Sequence, residues 1–251
     1  MGRPGRNAVA KILPELCERH QVSVVGANVE NAAGGFGITK EIYQQLLEMG
    51  IDFMTSGNHI WDKKETVEGI VQMERLLRPA NFSERAPGKG MIVLESKSGP
   101  LAVLNLTGRV FMAPAECPFE KAEQLLKDLA PELKAILVDF HSEATSEKSA
   151  MGWFLDGKVS AVLGTHTHIA TADEKILPQG TAYISDVGMC GPANSVIGIK
   201  TEQALKRFLT GIPYRFEVAL GPMQLDAAVL DIDSQTGKAI SIERIHRIIE
   251  N

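Results

Sequence analysis

Residues 134–168, KAILVDFHSEATSEKSAMGWFLDGKVSAVLGTHTH, decide the fold. KAILVDF at 134–140 is a short apolar run of strand length, and a helix is expected from about Thr145. VSAVLG at 159–164 is a second such run, and a His-rich loop follows it. The same alternation occurs upstream. VSVVGA at 22–27 precedes TKEIYQQLLEMG at 39–50, a helix with a Thr cap, an amphipathic body and a terminal Gly. IDFMTSG at 51–57 precedes a helix from about Asp62. Strands separated by helices predict a layered α/β architecture.

The flanking segments fit that frame. NAVAKILPELCERH at 7–20 has helical apolar spacing despite Pro14. MIVLES and LAVLNL, joined by KSGP, read as a β-hairpin. RFEVALGPMQLDAAVLDIDSQTGKAISIERIHRI at 215–248 alternates as antiparallel strands do, with SQTG as a turn. With no internal repeat, linker or low-complexity segment, residues 1–251 are expected to form a single domain, and the length is ample for a buried core.

Composition narrows the function. With 26 Lys+Arg against 31 Asp+Glu, the net charge is -5, so no global basic field recruits duplex DNA or an anionic membrane. A small or locally bound substrate is expected. Cys17, Cys117 and Cys190 are odd in number, widely spaced and outside any CxxC pattern, which suits a reducing compartment. The chain has no run of about 18 apolar residues, and MGRPGRNAV lacks the apolar core of a signal peptide. A cytoplasmic protein is expected.

Unusual polar residues gather just after the expected strands: Asn28, Glu30 and Asn31 after VSVVGA, Asn58 and His59 after IDFMTSG, His141 after ILVDF, and His166 and His168 after AVLG. In α/β folds the carboxyl ends of strands converge on one edge, where ligand sites form. Four of the six histidines lie in these loops. In an extended backbone His166 and His168, two apart, would project to one side. A lone loop histidine is more often a hydrogen-bonding residue than a ligand, so the joint placement carries the argument. Nitrogen and oxygen donors without thiolate suit a catalytic Fe, Mn or Zn centre. Asp62 reads as the N-cap of a capping box with Glu65 at N3, with no chemical role. AAGGFG at 32–37 matches neither phosphate-loop pattern, so its glycines are expected to serve tight turns and close backbone approach beside the site.

NVENAAGGFG, SGNHIWDKKE, RPANF, DFHSEATSEK, GTHTH and ISDVGMCGP, in this order and spacing, resemble the YmdB-like branch of the calcineurin-like metallophosphoesterases over nearly the whole chain. The resemblance implies a sandwich of two mixed β-sheets flanked by helices, with two metal ions above the sheet edge. It implies that Glu30 bridges the metals, that Asn58, His141 and His166 hold one, and that His168 helps hold the other. Asn31 is similar to a further site residue of the family. His59 resembles the histidine that contacts the scissile phosphate and assists the leaving group, a contribution on the order of 10²- to 10⁴-fold. Two metals lower the pKa of a bridging water, polarise the phosphoryl group and neutralise developing charge. Fe and/or Mn are the implied metals, with Zn as an alternative. A cyclic nucleotide is the implied substrate class, and self-association into a homo-oligomer is implied as well.

Related chains begin with a short apolar strand ending in Gly-Asp, before a loop like GRPGR at 2–6. The resemblance therefore implies that the family's first strand and an Asp ligand for the His168 metal lie upstream of Met1. Met1 is expected to be an internal methionine of a longer natural protein. A regulatory or scaffold protein with a degraded metal site and little catalysis is the rival reading, and a single-strand nuclease is the nearer competitor among enzymes. Arg109, Phe111 and Phe119 are candidates for lining a substrate pocket, though an Arg at a strand end is more often a surface residue.

Overall fold

In AILVDFH, Ile136, Val138 and Phe140 face one apolar cluster while Leu137 faces another, so the run is a strand buried on both sides. In the computed structural model, which describes residues 1–250, the order is α1 (Gly2–His20), β1 (Gly26–Asn28), α2 (Lys40–Glu48), β2 (Phe53–Thr55), α3 (Lys64–Gly69), β3 (Met91–Ser96), β4 (Gly99–Thr107) and α4 (Pro118–Asp128). There follow β5 (Ala135–His141), α5 (Thr145–Leu155), β6 (Ala161–Thr165), β7 (Lys175–Ile176), β8 (Ala182–Ile184), β9 (Gly191–Pro192), α6 (Thr201–Thr210), β10 (Met223–Ile232) and β11 (Ala239–Ile249).

The central sheet has the order β3-β4-β5-β6-β8-β7. β4, β5, β6 and β8 are parallel, and the edge strands β3 and β7 run antiparallel to their neighbours. One face packs Leu104, Val138, Phe140 and Val162 against Ala122 of α4 and Met151 and Leu155 of α5. The other face packs Val103, Leu137, Ala161 and Ala182 against Phe53, Leu77, Ala239, Leu230 and Ile242. A second β layer thus lies against the first, formed by the parallel pair β1–β2 and by the antiparallel set β11-β10-β9. Outside it, α1 seats Ala8 and Leu16 on Leu225, Ile245 and Ile249, while α2 seats Tyr43 and Leu46 beside Met54 and Ile60. This is the expected arrangement of β layers flanked by helices. Phe140 is fully buried, and its truncation to Ala would cost about 3–5 kcal/mol.

Several boundaries differ from the sequence reading. The hairpin is real and pairs Ser96 with Gly99, which leaves Lys97 and Ser98 as its turn. VSVVGA contributes only Gly26 and Ala27 to β1, and RFEVALG makes an isolated bridge at Val218 instead of a strand. Thr39 caps α2 as expected, accepting the Ile42 N–H at 3.2 Å. Asp62 does not cap α3, which starts at Lys64 after Lys63.

Candidate metal centre

Parallel strands bring the polar loops to one edge. β5 ends in His141, β6 leads into His166 through Thr165, and the loops after β1 and β2 carry Glu30 and Asn58. His141 Nε2 lies 2.7 Å from Glu30 Oε2, 3.2 Å from Asn58 Oδ1 and 3.0 Å from His166 Nδ1. One ligand atom from each of Glu30, His141 and His166 lies within 4.8 Å of the others.

The surrounding bonds decide which ring nitrogens carry hydrogen. The Thr165 hydroxyl donates to Asp139 Oδ1 at 2.7 Å, so its oxygen accepts from His141 Nδ1 at 3.0 Å. His166 Nε2 meets the Glu143 carboxylate at 3.1 Å. Each imidazole thus spends its N–H on an outer partner, leaving His141 Nε2 and His166 Nδ1 as lone pairs that face one another beside two oxygens. Acceptors converging on acceptors are repulsive unless a proton or a cation lies between them, and this N/O set suits a divalent cation.

The same logic applies next door. His168 Nδ1 donates to the Ile197 carbonyl at 2.9 Å, so its lone pair is on Nε2, which faces Asn31 Oδ1 at 3.1 Å. The Asn31 amide is oriented by donation from Nδ2 to the Gly35 carbonyl at 2.9 Å. Two lone pairs again face each other, so the residues present fit a second cation position. The structure brings Asn31 and His168 together as a pair beside the Glu30 cluster.

Charge and burial agree with this picture. Burial pushes Glu30 up, but His141 and the His59 N–H outweigh it and hold the carboxyl at about 2. Burial pushes His141 down, yet Glu30 and Asp139 leave it raised, as expected of a site whose proton stands where a cation would go. Burial lowers His166 to about 4 and also lowers His168, keeping both rings neutral and able to ligate.

His59 sits beside the cluster. Its N–H donates to Glu30 Oε1 at 2.8 Å, its ring Nδ1 meets Asp62 Oδ2 at 2.8 Å, and the Phe36 ring packs edgewise with centroids 5.1 Å apart. Asp62 therefore orients His59, a role hidden by its resemblance to a helix cap. The i,i+3 spacing in HIWD is the signal that could have revealed it.

His166 and His168 do not share an extended backbone. Their φ angles are 106° and 66°, in the region non-glycine residues avoid. The reason lies between them, where Thr167 N–H and Oγ1 both donate to Asp186 Oδ2, at 3.0 and 2.8 Å. Asp186 also accepts from Lys148 Nζ at 2.7 Å and Gly188 N–H at 2.9 Å, and both charges are buried. Nothing in the sequence pattern singled out Lys148 or Asp186. Gly57 is equally constrained, since a Cβ there would lie 2.1 Å from the His141 ring. Gly34, Gly35 and Gly37 have φ of 68°, 100° and 68°, so the AAGGFG loop does turn tightly beside the site. Of the pocket candidates, Phe119 belongs instead to the core against Phe154, Phe111 is 88% exposed, and the Arg109 N–H is bound by Glu147.

The family model described as YmdB-like protein matches residues 1–245. The chain belongs to the YmdB-like family. A relative from Bacillus subtilis (strain 168), named 2',3'-cyclic-nucleotide 2'-phosphodiesterase, is 49% identical over 245 residues, covering 98% of this chain and 93% of the relative. A crystal structure of a hypothetical protein from Thermus thermophilus superposes with a TM-score of 0.93 at 40% identity, covering 99% of this chain and 96% of that one. A crystal structure of a phosphatase from Mycoplasma pneumoniae gives 0.94 at 35% identity, covering 100% and 91%. In the YmdB-like chain described here, no helix among the described residues is long and apolar enough to cross a membrane.

Proposed function

We propose that this YmdB-like chain is a metal-dependent phosphodiesterase acting on cyclic nucleotides. Glu30, Asn58, His141 and His166 would hold one metal ion, and Asn31 and His168 would help to hold a second. Fe and/or Mn fit this donor set, with Zn as the alternative. The observation that carries the reading is the set of lone pairs turned toward common points by Thr165, Glu143 and Ile197. The name of the Bacillus subtilis relative supports the substrate class.

Bound metal ions would supply Lewis-acid polarisation of the phosphoryl group and activation of the attacking water. The chain's own residues do the rest. Glu30 fixes His59 through the backbone bond at Oε1, so the base of that side chain is tied to the metal cluster. Asp62 holds His59 Nδ1, which leaves Nε2 as the nitrogen that gives a proton to the departing ribose oxygen. Phe36 shields one edge of that imidazole from water.

Self-association belongs to the same proposal. Phe208 and Leu209 of α6 are 82% and 83% exposed beside Leu205 and Ile212, an apolar face of the kind that marks protein contacts. Light scattering on Phe208→Glu should show a smaller particle than the parent protein.

The deciding experiment measures metal content and ring opening of 2',3'-cyclic AMP on the same preparations, for the parent and for His166→Ala. Metal bound by the parent together with hydrolysis, both diminished in the variant, is the expected result. Full hydrolysis by a metal-free parent would overturn the proposal.

A further inference from the structure

Beside the AAGGFG loop lies a cavity of about 580 Å³ whose lining includes none of the proposed metal donors. Arg3 and Arg6 of α1, Lys63 at the start of α3, and Thr39 and Gln45 line it, with Glu41 as the carboxylate on its wall. Three cations against one carboxylate make it positive, in a chain whose net charge is -5. Arg6 is held in place: Nε donates to Gln45 Oε1 at 3.0 Å and Nη1 to the Ala32 carbonyl at 2.5 Å. Those bonds use two of the guanidinium's five N–H donors and leave the remainder in a fixed fork, the geometry suited to a phosphate.

The cavity is lined by the same two loops that carry Asn31 and His59. Ala33, in its lining, is two residues beyond Asn31, so their Cα atoms are at most about 7 Å apart. Lys63 is four residues beyond His59, and Gly37 lies between them. A Cβ on Gly37 would be 3.0 Å from Lys63 Cγ and 3.3 Å from the His59 carbonyl oxygen. A nucleoside carries phosphates at both its 2',3' and its 5' oxygens, so one ligand can reach two neighbouring anion sites. We propose that this cavity binds a second phosphate of the substrate, carried on the 5' oxygen of the cyclic nucleotide.

The proposal rests on the phosphodiesterase reading above and makes it narrower. The preferred substrate is a 2',3'-cyclic nucleotide that bears a 5' phosphate. The source is either a phosphorylated mononucleotide or the last residue of an RNA fragment, since both place a phosphate on the same oxygen. Charge-assisted bonds of about 1.5–3 kcal/mol correspond to a preference of about 10- to 150-fold.

The test compares kcat/KM of the metal-loaded protein for three substrates: adenosine 2',3'-cyclic phosphate, its 5'-phosphorylated form, and the ApA dinucleotide ending in a 2',3'-cyclic phosphate. A preference of about 10-fold or more for the phosphorylated mononucleotide alone supports the proposal with a free nucleotide as source. The same preference extended to the dinucleotide supports it with an RNA end as source. In Arg3→Gln/Lys63→Gln the ratio should fall toward one, while Glu41→Gln should raise it. Both changes lie at exposed or half-exposed positions, and Arg6 is left intact because its bonds are structural. Thermal melting of each variant separates a lost subsite from a lost fold. Equal rates for all three substrates overturn the second-phosphate site and leave the phosphodiesterase intact. Failure to hydrolyse any of them, with metal bound, overturns both.

Discussion

Replacing Gly57 by Ala tests the centre without altering any proposed ligand. The new Cβ would stand 2.1 Å from His141 Cδ2 and Nε2, against about 3.5 Å for ordinary carbon contact, so roughly 1.4 Å of movement is required. His141 is anchored by Thr165 at Nδ1, and the Gly57 backbone leads directly into Asn58, so whichever side yields carries a donor out of place. Misplacement on the scale of 1 Å costs on the order of 10²-fold in rate. Overpacking costs about 1–3 kcal/mol, small enough that a domain of roughly 5–15 kcal/mol stays folded. The assay is metal content by mass spectrometry alongside kcat/KM on 2',3'-cyclic AMP, with near-ultraviolet circular dichroism to show intact packing. Gly57→Ala with parental metal content and rate would falsify the assignment of His141 and Asn58 as a shared ligand pair.

Three other changes probe the surroundings. Asp62→Asn keeps an acceptor near His59 but removes its charge, and should lower kcat by up to on the order of 10²-fold with metal content and KM unchanged; loss of metal would mean that Asp62 acts on the cluster instead. Lys148→Met strands the buried Asp186 carboxylate and should cost about 3–5 kcal/mol in urea unfolding, together with weakened metal retention because Thr167 loses its anchor; a neutral result would refute the clamp. Burial pushes Asp173 up, but the Ser185 N–H and Thr171 hydroxyl outweigh it and hold its carboxyl below the usual range. Its contribution is therefore present above the unfolded value near about 4 and is lost as pH falls through the lower folded value. The stability gap between the parent and Asp173→Asn should shrink in that acid window, and a gap independent of pH would contradict it.

The layered fold was legible because strand-length apolar runs and capped helices alternate, and Thr39 and the 91–107 hairpin fell where local chemistry put them. RFEVALG misled because alternation alone does not pair a strand; only Val218 finds a partner there, bridging to Ile199. The donor loops were also legible, because each directly follows a run that had to be a strand. Phe119 was misread since the sequence does not say which side of α4 meets Phe154. Asp62 was misread for a different reason: a carboxylate three residues after His59 and just ahead of a helix satisfies two local rules, and only the observed 2.8 Å contact with Nδ1 chooses between them.

What no local rule could give is the direction of each lone pair. His141 is aimed by Thr165 at the end of β6, His166 by Glu143 and His168 by Ile197, all distant in sequence from the rings they hold, and Asn31 by Gly35 within its own loop. A motif such as GTHTH supplies nitrogen but not its tautomer, and a neutral imidazole with the wrong tautomer presents hydrogen to a cation. The positive φ angles at His166 and His168 have the same origin, because that backbone is bent to let Thr167 reach Asp186. Strain in two candidate ligands is tolerable when a buried ion pair, whose carboxylate also accepts from Thr167 and Gly188, determines it from outside. The donor types are thus written in the quoted segments, while their geometry depends largely on bonds to residues far along the chain.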